Sequence, residues 1–239
     1  MRLDPVPAAF PDSRDALHQI AFFAIAPARY QAVGRMGLRA IPGGLGTPEF
    51  DGQVAGIQGN LLVFTKDDNT ATRTITTVRD AATFFGVDYE VQWYEDFHDA
   101  LEPVDPDQRL QVDADAASAL ANWFAFGFVV LERLRTHGPG PDASEVQLWP
   151  EHFDAATEMG DEEAGQRASY GASPGDENHT EPYVYVSAWG EIDRSDPFWN
   201  DEFFNGASLS YSELAEADDP VGRAVGFLLS GYRALTGDR

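Results

Sequence analysis

The chain has 239 residues, 43% hydrophobic and 12% aromatic, enough to bury roughly 70% of the surface its unfolded form exposes, so disorder is excluded for most of it. Forty acidic side chains against sixteen basic ones give a formal charge of -24, which repels phosphate backbones and anionic lipid and argues against nucleic-acid and membrane partners. With no cysteine, disulfides, thiolate metal sites and a cysteine nucleophile are excluded too, while small cationic ligands, metal ions and basic proteins stay compatible with the charge.

The opening residues, Met1-Arg2-Leu3-Asp4-Pro5, carry no cationic stretch followed by a long apolar run, so no signal peptide is expected. The longest apolar runs, 20–26 and 124–131, fall short of the roughly 20 residues that span a bilayer. A cytoplasmic protein is the expectation. Fifteen basic residues are arginine and one is Lys66, a compositional skew that carries no chemistry.

In chain order, a first helix begins near Asp12-Ser13, places Leu17, Ile20, Ala21, Ala24 and Ile25 on one side, and is ended or kinked by Pro27. Strand-like segments follow at 36–41, 50–57, 60–65 and 72–77, with Asp67-Asp68-Asn69 as a tight turn. They predict an antiparallel meander. A short helix is predicted over 78–85. The acidic stretch 95–107, with Pro103 and Pro106, reads as a surface loop in a single domain of residues 1–239, or as a linker between two lobes, 1–95 and 108–239. A long helix runs from Asp113 to His137, apolar nearly all round through Leu120, Trp123, Phe124, Phe128, Leu131 and Leu134, as a central core helix is. Strands are then expected at 146–149, 152–158, 167–172 and 183–189. A last helix starts at Asp219-Pro220 and ends at Gly237. The fold class is α+β: about seven or eight antiparallel strands in meanders, covered by the long helix and by N- and C-terminal helices.

Three motifs fail on physical grounds. Gly171-Ala172-Ser173-Pro174-Gly175 spells the nucleophile elbow of serine hydrolases, but the residue after the serine must donate its N–H to the oxyanion, and proline has none. It reads as a Pro-Gly turn between strands. Gly43-Gly44-Leu45-Gly46 lacks the third glycine and following helix of a dinucleotide loop. Asp176-Glu177-Asn178 begins like a calcium loop but has Glu181 where the sixth-position glycine belongs.

What survives is a constellation. If 151–158 is a strand, His152, Asp154 and Glu158 share one face by the two-residue period, with Phe153 and Ala155 on the other. The loop Asp176-Glu177-Asn178-His179 and the aromatics Trp149, Tyr170, Tyr183 and Tyr185 are candidates to reach that surface. Imidazole and carboxylate together hold a divalent metal or act as an acid–base pair. The candidate ligand-binding residues are therefore His152, Asp154, Asp176, Glu177, Tyr183 and Tyr185, and the candidate metal set is His152, Asp154 and His179. His18 and His98 join a site only if the fold brings them close. The aromatics Phe198, Trp199, Phe203 and Phe204 are candidates for a lid or a subunit contact.

The run Val146-Gln147-Leu148-Trp149-Pro150-Glu151-His152-Phe153-Asp154, with Ser173-Pro174-Gly175-Asp176 and Glu181-Pro182-Tyr183-Val184-Tyr185-Val186, resembles a bacterial family of conserved hypothetical proteins, a domain of unknown function. The likeness covers about residues 13–190 and is most specific over 146–187. It implies a strand at Phe153-Asp154 and a hairpin through Pro174-Gly175, and it implies no activity. The leading functional expectation is a binding protein for a small polar ligand or metal ion on a β-sheet face. A metal-assisted or acid–base hydrolase using His152 and Asp154 is the first alternative, and a homo-oligomeric interaction protein without catalysis is the second.

Overall fold

The first helix continues past the proline that was expected to end or kink it. In the computed structural model, which describes residues 2–89, 93, 100–137 and 143–237, α1 (Phe10–Ile20) passes through a π-helical turn, Ala21–Ile25, into α2 (Ala26–Val33). Pro27 has no N–H to give to the carbonyl four residues back. The ladder lengthens just before it, with the Ala26 N–H bonding Ala21 O, and the chain stays helical until Gly34, whose φ of 67° closes α2.

The chain forms two compact units. One is Val6–Ala125 with Leu148–Phe153; the other is Met1–Pro5, Phe126–Gln147 and Asp154–Arg239. The first unit carries the meander β1 (Arg39–Ile41), β2 (Gly44–Gly46), β3 (Gln53–Gln58), β4 (Leu61–Lys66) and β5 (Asn69–Thr74), hydrogen-bonded in that order. The glycine-rich stretch is strand β2. A Cβ on Gly44 would stand 1.7 Å from Ile57 O, so glycine lets the backbones close up. The β4–β5 connection is the two residues Asp67 and Asp68, with φ 47° and 64°, a tight hairpin turn in the left-handed region. Next comes α3 (Val78–Phe85), capped by Thr77, whose hydroxyl accepts from Asp80 N, and stopped at Gly86. Residues 95–99 of the expected linker lie outside the described residues; beyond them, Pro106 O accepts from Arg79 N and Asp107 pairs with Arg79 at 2.9 Å.

The long helix α4 (Ala114–His137) is capped by Asp113, whose carboxylate accepts from Asp115 N and Ala116 N. Over Ala114–Thr136 it is long and apolar enough to cross a membrane by length and composition, yet 56% of that window is buried inside the protein, the pattern of a core helix.

The second sheet comprises β6 (Gln147–Trp149), β7 (Asp154–Met159), β8 (Ala168–Ser173), β9 (Tyr183–Ala188) and β10 (Gly206–Ser210), ordered β10-β9-β8-β7-β6. In the second unit, α5 (Tyr211–Ala215) and α6 (Pro220–Thr236) follow. The fold is thus α+β, and the described residues form two antiparallel five-stranded sheets, ten strands instead of seven or eight. Register sorts the second sheet into two faces. On one, Ala155, Met159, Ala168, Tyr170, Ala172, Val184, Val186 and Leu209 are buried. Small helical residues let α4 and α6 approach them: a Cβ on Gly127 would lie 2.8 Å from that of Ala172, and one on Gly231 2.7 Å from Val186. The other face carries Asp154 and Glu158 from β7, Ser169, Gly171 and Ser173 from β8, Tyr183, Tyr185 and Ser187 from β9, and Ser208 and Ser210 from β10.

Candidate functional site

The strand expected over 151–158 begins at Asp154, and this corrects the shared-face argument. Glu151, His152 and Phe153 form a turn, and Phe153 has φ +53°. A bulky residue in the left-handed region costs about 1–2 kcal/mol. The side chain offsets it by packing: Phe153 is buried, stacks on the His18 ring at 4.6 Å and meets Phe124 edge-on at 5.2 Å. Alternation therefore does not extend to His152, which is exposed on the turn.

From Asp154 onward the polar face is built by pairing. Asp154 is 4% exposed and its Oδ2 accepts a hydrogen bond from the Tyr185 hydroxyl. The phenol reaches it by lying flat across β8 where the sheet has no side chain: a Cβ on Gly171 would fall 2.4 Å from the Tyr185 ring. One pair further along, the Tyr183 hydroxyl donates to Asp176 Oδ2 at 3.0 Å and bonds the Ser173 hydroxyl. Burial, joined by the charge of Asp154, pushes the Tyr185 phenol well above its ordinary pKa, and burial likewise raises Tyr183. Both therefore stay protonated donors at neutral pH.

Asp176 shapes its own loop, its Oδ1 accepting from Asn178 N at 2.7 Å and His179 N at 2.8 Å. Burial works to raise its pKa, but these two N–H groups, the Tyr183 hydroxyl and the His179 charge outweigh it and hold the carboxyl below its ordinary value. His179 stacks on Tyr183 at 4.3 Å. Its Nε2 meets Asp201 Oδ2 at 2.8 Å, and Nδ1 lies 3.5 Å from Asp176 Oδ1. Asp201 is buried, its Oδ1 accepts from Phe203 N, and its backbone carbonyl accepts from Arg194 Nη1.

The structure thus brings Asp154, Asp176, His179, Tyr183 and Tyr185 into one network, joined by the Tyr185–Asp154 and Tyr183–Asp176 bonds and the His179–Tyr183 stack. Glu177 stands exposed on the loop beside it. Among the described residues no group of three or more His, Asp or Glu side chains is arranged to hold a metal ion, so the set His152, Asp154 and His179 does not assemble. His18 Nε2 bonds Pro150 O at 2.8 Å, and His98 lies outside the described residues. Ser173 is the last residue of β8, its hydroxyl accepting from Gly175 N. Sequence reasoning missed Asp201 and Gly171. Asp201 pairs with His179 across 22 residues with no local signal, whereas a glycine opposite a tyrosine in an antiparallel register was a usable one. Of the loop aromatics, Trp199 is buried, Phe198 packs on Phe227 and Phe204 on Tyr185; Phe203 is 62% exposed.

Comparison with protein-family models, with curated proteins and with solved structures finds no match to this chain.

Proposed function

We propose that this protein binds a small polar ligand on the polar face of its second sheet, through Asp154, Asp176, Tyr183 and Tyr185. The observation that carries the reading is the Tyr185–Asp154 bond across the bare Gly171. A carboxylate taken out of water costs several kcal/mol unless partners compensate it, and such an arrangement inside a sheet is more expensive than the apolar packing of the opposite face. Asp176, with 42% of its side chain exposed, supplies the solvent-facing acceptor. In a chain of charge -24 the ligand is neutral or cationic rather than anionic at this face.

The hydrolytic alternative asks His179 or His152 to act as base. His179 Nε2 is engaged by Asp201, and Nδ1 is shielded from solvent, so this imidazole serves as a link between two loops. The binding reading is tested by a thermal-shift screen of amines, polyols and amino acids on wild type, Asp176→Asn and Tyr183→Phe. It expects a compound that raises the wild-type midpoint and loses most of that effect in both variants. Equal shifts in all three proteins, or none in wild type, would overturn it.

A further inference from the structure

A strand at the end of a sheet presents unpaired N–H and C=O groups, and folded chains usually blunt such edges. Within the first unit, Leu38, next to β1, exchanges both backbone bonds with Leu148. In the second unit the edge of β10 is closed by Asn200, whose side-chain amide accepts from Ser208 N and donates to Ser208 O. Strand β5, at the end of the first sheet, is treated differently. All 6 of its residues are exposed. It contains no proline and no lysine, and its one charged side chain, Arg73, is held by Asp80 at 2.9 Å.

Register shows which of its groups are left over. The β4–β5 turn is Asp67-Asp68, so the flanking pair Lys66–Asn69 is a hydrogen-bonded one. The same alternation brings Ile75 N to Asn60 O at 3.0 Å. Asn69, Ala71 and Arg73 therefore bond β4, while the N–H and C=O of Thr70, Thr72 and Thr74 point away from the sheet. Among the described residues no backbone group takes them. One step further on, Thr76 O accepts from Leu110 N, and there the open edge ends.

We propose that β5 is a self-association edge, pairing antiparallel with β5 of a second copy of this chain about a two-fold axis at Thr72. In that register Thr72 faces Thr72 and Thr70 faces Thr74 of the other copy, and the outward N–H groups of each copy meet the outward carbonyls of the other. Every threonine meets a threonine, a favourable cross-strand pair that the fold already uses where the Thr65 and Thr70 hydroxyls lie 2.9 Å apart. Arg73 falls opposite Ala71 of the other copy, so like charges do not oppose one another. Charge also selects this edge. Two copies carrying -24 each repel, yet residues 69–79 contain no acidic side chain and hold Arg73 and Arg79. This surface is independent of the polar face described above.

The test is sedimentation velocity of the full chain from about 10 μM to about 1 mM at physiological ionic strength. A strand-to-strand contact is smaller than a standard interface, so the mass should rise from monomer towards dimer with a midpoint of about 100 μM or above. Thr72→Lys sets two ammonium groups face to face, and Thr72→Pro removes a central donor that no internal bond uses. Each should weaken association about tenfold or more. In this cysteine-free chain, Thr72→Cys places two thiols across the axis with Cα atoms about 5.5 Å apart, within disulfide reach, and mild oxidation should cross-link it. Thr70→Cys, whose two copies lie about 13 Å apart along the strands, should not cross-link. A wild type that stays monomeric throughout, a dimer that survives both Thr72→Lys and Thr72→Pro, or equal cross-linking of the two cysteine variants would overturn the proposal.

Discussion

Acidification should destabilise this protein through His18, and the size of the effect follows from its surroundings. The imidazole lies 8° from parallel to the Phe153 ring and bonds Pro150 O. Burial pushes its pKa down from 6.5 to about 4, against the opposing pull of that hydrogen bond and of Asp15. Because the folded value is the lower one, the unfolded chain binds more protons between about pH 4 and pH 6.5. Stability in that window rises with pH: the His18 contribution is intact above about pH 6.5 and is lost as pH falls towards about 4. Linkage gives a loss of about 2 kcal/mol at pH 5 and about 3 kcal/mol in full, a large share of the 5–15 kcal/mol that holds a typical domain. Urea unfolding of wild type and His18→Gln from neutral pH to about pH 5 measures it. Glutamine keeps an N–H donor for Pro150 O and does not titrate, so carboxylates such as Asp176 affect both proteins alike and cancel. Wild type should lose about 2 kcal/mol more than the variant over that range. Parallel pH profiles would refute the claim that the fold holds this imidazole neutral.

Three further substitutions probe the polar face and the core behind it. Tyr185→Phe removes the hydroxyl that Asp154 accepts from and should cost about 1–3 kcal/mol in urea unfolding; a cost under about 0.5 kcal/mol would show that the bond carries no energy. Gly171→Ala places a methyl 2.4 Å from the Tyr185 ring, so it should destabilise by about 1–3 kcal/mol, and its effect should be strongly sub-additive with Tyr185→Phe in a double-mutant cycle. Tyr170 is the contrasting case, since its buried hydroxyl has no hydrogen-bond partner among the described residues and burial raises its pKa. Tyr170→Phe should be neutral or stabilising by up to about 1 kcal/mol, and a marked loss of stability would reveal a partner for that hydroxyl.

Local chemistry made some elements legible in the sequence. The helix over 78–85 has a threonine cap before it and a glycine after it; the Asp67-Asp68 turn suits the left-handed backbone; and α4 shows its apolar surface over six turns. Tyr183 and Tyr185 stand two apart, so their shared face followed from strand period alone. Strand β2 was not legible, because glycines weaken a strand by propensity and this one exists only where the backbone of β3 closes on it. Pro27 signals a stop, and the π turn that carries the helix through it is held by burial of all five of its residues.

The site divides along the same line. By itself the sequence determined which groups were available, the acidic charge, and the alternation that aims Tyr183 and Tyr185 to one side, since these depend on neighbours along the chain. Tertiary structure decided that Phe153 turns into the left-handed region and leaves His152 off the strand, that Gly171 admits a phenol to Asp154, and that Asp201 meets His179. Those outcomes depend on packing between segments distant in sequence, where burial of an aromatic ring, or hydrogen bonds to a buried carboxylate, outweigh local backbone preference.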